Sequence, residues 1–347
     1  MVAAHSSAIT VIHSRVSRPL ARQSLTKRLF ARPEAGPAIL LFLLIVTFTA
    51  INPAFLSVLN ISNTLAFTVE LGLIALAMTL LMTAGEFDLS VGALFGLTPV
   101  IMWALFNSGT TSLEVAFLIS VALAATIGAI NGWFVTALKI PSFLVTLGML
   151  LVARGTALYI TDGFPQRTWS AEGQWLASAL VGDFRFGDLR LYMSLFWFVG
   201  FALLLHYVLT GTKVGNWIQA AGGNAQAASA RGVDVARTKV ALFMLSAVLS
   251  ALAGIISSIR TSAANPNSGT GYELEVIAMV VIGGTSLLGG RGTIIGTVIG
   301  IFILRLMRNG IVMIGVPGLA YNIFIGGIIL GMMALHSWLD RRNQSGG

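Results

Sequence analysis

Long uninterrupted apolar runs, separated by short polar breaks, dominate the chain. The strict alternation of a half-buried strand or a membrane barrel is not the pattern. A run of about 20 apolar residues is long enough to cross a hydrocarbon core as a helix. The runs predict ten spans, at 38–51, 63–84, 89–107, 113–137, 142–161, 191–209, 240–260, 274–289, 292–308 and 320–338. Asn52-Pro53 closes the first. Segments 162–190 and 211–239 are too long for turns and too polar to cross. The expected class is all-α, a polytopic transmembrane bundle. It is organised as a basic arm over 1–37, a membrane domain over 38–340 carrying the loop 211–239, and a short tail over 341–347.

Composition narrows the function. Of 347 residues 56% are hydrophobic and 10% charged, whereas a soluble surface carries about 25–35% charged residues. That excludes an ordinary soluble enzyme and a disordered chain. There is no cysteine, so no disulfide, thiolate metal centre or redox dithiol is available. His5, His13, His206 and His336 are scattered, with no pair at ligand spacing, and no metal is expected. No GxxxxGK[ST] occurs, so the chain has no P-loop of its own. Gly290-Arg291-Gly292 is not a dinucleotide fingerprint, because its spacing to Gly296 is wrong and no strand precedes it. No catalytic constellation stands out. We expect no cofactor, no enzymatic activity and no nucleic-acid partner.

The net charge of +8 has a geography. Arg15, Arg18, Arg22, Lys27, Arg28 and Arg32 crowd the arm before its first acid, Glu34. A mitochondrial transit peptide shares that composition, but a cytoplasmic tail beside anionic lipid is the simpler expectation. With the arm inside, ten spans also place Lys139, Lys213, Arg231, Arg237, Lys239, Arg291, Arg341 and Arg342 inside, most of the 21 basic residues. Segment 162–190 falls outside, with three Arg against four acids. The positive-inside rule therefore puts both termini in the cytoplasm.

Polar residues at membrane depth must face protein, a water cavity or an interface. Glu70, Asp88, Ser90 and Asn131 are the candidates for a polar translocation path. Residues 84–92 interrupt an apolar run and are expected to be irregular backbone lining a cavity. Arg305 and Arg308 are expected to snorkel to the surface at a span end. Gly128 and Gly132, and Gly292, Gly296 and Gly300, repeat every four residues and mark close helix contacts.

Loop 211–239 carries the most specific signal. Asn224-Ala-Gln-Ala-Ala-Ser-Ala-Arg231 reads as a short helix preceded by Gly222-Gly223. Asn224 suits the N-cap, Arg231 the C-terminal end and Gly232 the C′ stop. Such a short helix is marginal alone, so it needs something to dock against.

Gly222, Asn224, Ala227, Ala228, Gly232 and Val233 together resemble the coupling loop of the ribose-type permeases of ATP-binding-cassette importers. Gly85-Glu86-Phe87-Asp88-Leu89-Ser90-Val91-Gly92 is similar to that family's Gly-Gly-Ile-Asp-Leu-Ser-Val-Gly segment, departing at Glu86 and Phe87. Asn131-Gly132, Ile140-Pro141-Ser142-Phe143-Leu144-Val145-Thr146-Leu147-Gly148 and Gly283-Gly284-Thr285-Ser286-Leu287 with Gly289, Gly290, Gly292 and Thr293 resemble further family segments in the same order. The resemblance implies a multi-pass bacterial inner-membrane permease for a monosaccharide-type solute. It pairs with a second permease subunit, identical or not, and receives solute from a periplasmic binding protein. A cytoplasmic ATPase, which binds the ATP, docks on Gly223, Asn224, Ala227, Ala228, Ala230, Arg231 and Gly232. The alternatives are a related permease for nucleosides or branched-chain amino acids, or a proton-coupled carrier.

Overall fold

The computed structural model describes residues 34–167 and 174–317, together with 320, 321, 323, 324, 326, 327, 330 and 331. The chain is an all-α polytopic membrane protein. Six of its described helices are long and apolar enough to cross a bilayer. They are α2 (Val58–Thr83), α4 (Leu113–Ala137), α5 (Ser142–Thr161), α7 (Met193–Gly211), α10 (Val235–Thr261) and α12 (Ile294–Met313). Two apolar helices of 17 residues, α1 (Ala35–Ile51) and α3 (Val91–Asn107), complete the main layers. The expected spans at 113–137 and 142–161 coincide with α4 and α5. The arm up to residue 33, most of the tenth span and the tail lie outside the described residues.

Two expectations are corrected. The eighth span, 274–289, is helical only as α11 (Tyr272–Ile282), 11 residues or about 16 Å long. Gly283 and Gly284, the latter at φ +94°, turn the backbone out of the helix, and an irregular strand of chain continues to the start of α12. The polar segment 211–239 is not mainly loop: it holds α8 (Lys213–Gly223), α9 (Ala225–Ala230) and the first turn of α10. Thr212 and Asp234 cap α8 and α10 by accepting the amides of Gly215 and Arg237, which supplies helix starts inside a polar stretch.

α2, α3 and α10 form the centre. From Thr68 to Thr83 every residue of α2 is buried, and α10 packs against α2, α3 and α4. Trp103 of α3 donates its ring N–H to Ser258 of α10 at 2.9 Å. The hydroxyls of Thr79 on α2 and Thr297 on α12 lie 2.6 Å apart. Large apolar side chains on α1, α4, α5 and α7, among them Phe42, Leu118, Leu151 and Leu203, stay exposed, as lipid-facing residues do. Outside the helices, α6 (Trp175–Val181) is followed by a hairpin of β2 (Asp183–Phe186) and β3 (Leu189–Tyr192). β1 (Gln166–Arg167) pairs with β4 (Ala263–Ala264). In the hairpin, Arg190 and Arg185 hold the Asp183 carboxyl below its ordinary range by hydrogen bonds. The amide of Arg190 donates to Ser62 at the start of α2, which ties the hairpin to that end of the bundle.

The glycine stripes sit where helices touch. A Cβ on Gly128 of α4 would meet the Phe243 carbonyl of α10 at 2.5 Å, and one on Gly132 would meet Val240 Cα at 2.7 Å. Gly296 and Gly300 of α12 face Gly283 and Met279 in the same way. Gly128→Leu is expected to separate α4 from α10 at a cost of about 1–3 kcal/mol, seen as a lower thermal midpoint in detergent. Gly148→Leu, where a Cβ meets nothing, is expected to leave that midpoint unchanged.

Candidate functional site

The residues singled out by sequence gather at two opposite ends of the bundle. One end holds α8, α9 and the two irregular breaks. Asn224 accepts the Ala227 amide at 2.9 Å and caps α9. The Gly232 amide donates to the Ser229 carbonyl and that of Val233 to the Ala228 carbonyl, with Gly232 at φ +84°, so the helix stops where expected. Ala227, Ala230 and Arg231 are exposed. Ala228 is not: its side chain is 4% exposed and packs into the chain itself. The outward face of α9 is therefore Gln226, Ala227, Ser229 and Ala230.

Just before α9, three backbones meet. The Gly290 amide donates to the Thr83 carbonyl, at the end of α2, at 2.8 Å. Gly222, which ends α8 with Gly223, lies against the same carbonyl, so a Cβ there would overlap it and come within 2.7 Å of the Gly290 nitrogen. A Cβ on Gly289 would meet Gly222 O and Gly85 Cα at 2.9 Å each. The three glycine-bearing motifs read separately in the sequence thus form one joint, linking the α8–α9 corner to the C-terminal end of α2 and to the 283–293 break.

The 84–92 break lies beside it. Its backbone finds partners on α5: the Phe87 amide donates to Ser142 and the Leu89 amide to Thr146, at 3.2 and 3.0 Å. Asp88 accepts from the amide and the hydroxyl of Ser90, and Asn131 donates to that hydroxyl at 3.1 Å. Asp88, Ser90 and Asn131 are all fully buried. Glu86, the departure from the expected segment, takes an ion pair from Lys239 of α10.

Glu70 lies at the opposite end, apart from these three. It lines a cavity of about 490 Å³ between α2, α10, α11 and α12 and pairs with Arg260, the penultimate residue of α10. The Arg260 guanidinium stacks over Phe67 at 4.1 Å. Asn309 donates to Asn60 and Thr64 at 2.8 and 2.7 Å. Arg305 does not snorkel: it is 7% exposed, donates to the Phe67 carbonyl, and lies 4.0 Å from Glu275. Arg308 does reach outward, 3.8 Å from the same carboxylate and with its side chain 45% exposed. Sequence reading missed Arg260, whose signal was a basic residue at the end of an apolar run. It also missed Thr83, whose carbonyl, not its side chain, holds the joint. Arg154, a charge inside α5, is explained by three carbonyls, those of Pro266, Ser268 and Gly92. Among the described residues no cluster suits a metal ion.

The family model described as "Branched-chain amino acid transport system / permease component" matches residues 60–333. The ribose import permease protein RbsC of Escherichia coli is 36% identical over 312 residues, 90% of this chain and 94% of the relative. RbsC of Bacillus subtilis is 37% identical over the same shares. The xylose/arabinose import permease protein XylH of Sulfolobus acidocaldarius is 35% identical, over 84% of this chain and 81% of its own. No solved structure matches. The chain belongs to this family of transport-system permease components.

Proposed function

We propose that the chain is the membrane subunit of an ATP-binding-cassette importer in a bacterial inner membrane. It forms the path for a monosaccharide-type solute and takes its energy from a separate cytoplasmic ATPase. The convergence of Gly85, Gly222 and Gly289 on one joint carries this reading. An ATPase pressing on α8–α9 would act at once on α2 and on the 283–293 break. A nucleotide state shifts the inward–outward balance only through contacts that differ between the two states, and the exposed Gln226, Ala227, Ser229 and Ala230 face can make them. Gly223, Asn224, Arg231 and Gly232 shape that helix rather than touch the ATPase, and Ala228 anchors it.

The solute class rests on the ribose and xylose permeases to which the chain is similar. The matched family model carries the name of branched-chain amino acid systems, so an amino acid is the second reading. Ten spans, with 272–290 crossing as a half-helix plus irregular chain, and both termini inside, fit the charge geography. In support, Thr293 donates to Glu34 at the head of α1, which puts the start of α1 at the same end as the joint. A second permease subunit and a solute-delivering periplasmic protein complete the assembly. Glu70 faces the outer cavity, while Asp88, Ser90 and Asn131 brace the inner break and would meet solute only if that break opens.

Reconstituted in vesicles with its ATPase and binding protein, the permease is expected to give solute-stimulated ATP hydrolysis. Ala227→Arg, on the exposed face, is expected to abolish stimulation while the permease still inserts. Uptake that persists without any ATPase would end the importer reading. Gly222→Ala is expected to lower stimulated uptake by about 5–150-fold, the span of a coupling free energy of about 1–3 kcal/mol. Gly148→Ala, whose added Cβ would meet nothing within 4 Å, is expected to leave it intact.

A further inference from the structure

The β2–β3 hairpin has two unlike faces. Its register pairs Asp183 with Tyr192, Phe184 with Leu191, Arg185 with Arg190 and Phe186 with Leu189. Side chains alternate along a strand, and paired residues share a face. One face is therefore Asp183, Arg185, Arg190 and Tyr192. It is complete in itself: Asp183 accepts from both guanidinium groups, and Arg190 lies 4.8 Å over the Tyr192 ring. The other face is Phe184, Phe186, Leu189 and Leu191, wholly apolar. It is only part covered. Leu189 and Leu191 are half-buried, whereas Phe184 and Phe186 are exposed, Phe186 at 65%.

The chain fixes what lies beside that face. β3 runs into α7 with no residue between them. The 19 residues of α7 make about 28 Å of helix, close to the ~30 Å of a hydrocarbon core. Its two ends therefore stand near the two boundaries of the core, and the hairpin begins at one of them. Phe196, Val199, Leu203 and Tyr207 are exposed along α7 at helical spacing, the stripe it turns to lipid. The Phe184 ring packs edge-on against Phe196, the first of that stripe, with centroids 5.9 Å apart. The apolar face of the hairpin thus continues a lipid-facing surface. Trp197, exposed beside Phe196, donates its ring N–H to the Ala179 carbonyl of α6 at 2.9 Å, and such amphipathic rings favour the headgroup level.

The depth is bounded from the other side. β2 pairs only with β3 among the described residues, so its free edge presents backbone groups that need water or headgroup partners. Asp183 and Arg185 on the polar face need the same. The hydrocarbon core suits neither.

We propose that the apolar face of the β2–β3 hairpin is a membrane-surface anchor, seated in the headgroup layer at the cavity end of the bundle. Its partner is the interfacial layer of the bilayer and not a headgroup of one charge, because residues 183–192 hold two acids and two bases. The anchor acts on α2. The bond from the Arg190 amide to Ser62 joins it to the turn that bears Asn60, Asn63 and Thr64 of the cavity, and so sets the depth of the cavity rim.

The chain contains no cysteine, so single introduced thiols report cleanly. The full chain carrying Phe186→Cys, Arg185→Cys or Leu203→Cys would be labelled with bimane in phosphatidylcholine liposomes. Quenchers would be a nitroxide on the lipid headgroup, a nitroxide deep in the acyl chain, and aqueous iodide. The Phe186 probe is expected to be quenched most by the headgroup nitroxide, the Leu203 probe by the deep nitroxide and the Arg185 probe by iodide. Leu203 lies seven residues along α7 from Phe196, so the two lipid-quenched probes are expected to differ in depth by about 10 Å or more. Phe184→Cys, on the same face, is expected to repeat the Phe186 pattern. Adding phosphatidylglycerol or salt is expected to leave that pattern unchanged. Iodide quenching of the Phe186 probe equal to that of the Arg185 probe would put the face in water and overturn the proposal. Quenching chiefly by the deep nitroxide, or headgroup quenching only with phosphatidylglycerol present, would overturn it as well. So would a Phe186→Cys disulfide between two copies, which marks a subunit contact, or shielding from iodide that appears only when a soluble partner protein is added.

Discussion

A chain that leaves the helix inside a bilayer must find its backbone hydrogen bonds within the protein, since lipid offers none. Among the described residues, irregular backbone interrupts the apolar sequence at 84–90 and at 283–293, and much else in the protein serves those two breaks. The first is met by Ser142 and Thr146 of α5 and by Asp88 folding back on Ser90. The second is met by the Thr83 carbonyl and by a short internal bond from the Ser286 amide to the Arg291 carbonyl. The two breaks also need each other, because Gly289 lies against Gly85. Gly222 inserts between them, so the α8–α9 corner completes a structure that neither break finishes alone.

This explains why three distant sequence motifs carry glycine where they do. At Gly85, Gly289 and Gly290 the backbone takes positive φ, a conformation costly for residues with a Cβ. At Gly222 the demand is space: the Thr83 carbonyl stands where a Cβ would be. A joint made of backbone against backbone has few rotamers to absorb a displacement. Close-packed elements shift between discrete arrangements more readily than they deform.

The membrane class, eight of the apolar helices and the capped α9 were legible because they depend on local pattern: run length, an Asn at the N-cap and a Gly at C′. The Gly128 and Gly132 stripe was legible for the same reason. The lengths of α8, α10 and α11 were not. α8 and the first turn of α10 are polar and stand on side-chain caps at Thr212 and Asp234. α11 ends within an apolar run because Gly283 must approach Gly296, a contact between residues on different elements. Arg305 was misread because an apolar run with a late Arg looks the same whether the side chain turns outward or inward. Its direction is set by the Phe67 carbonyl, 238 residues away. Ala228 was grouped with its exposed neighbours because composition does not separate the faces of a six-residue helix.

The two ends of the bundle are joined by one element. α2 carries Thr83 in the joint and Glu70 in the cavity, 13 residues or about 20 Å apart along the helix axis. The stretch between them is wholly buried, tied to α12 through Thr79 and Thr297 and flanked by α10. That stretch has no proline to kink it, so Thr83 and Glu70 are two positions on one continuous helix. α10 offers a parallel route: Lys239 near its start pairs with Glu86 in the first break, and Arg260 at its end pairs with Glu70. The Glu70–Arg260 bond therefore joins the two helices at the cavity end, as the Glu86–Lys239 bond ties α10 to the first break at the joint end. Any sliding of α2 against α10 must strain or break both. A pair of ion bonds, one at each end of the same helix–helix interface, therefore holds the register of α2 on α10.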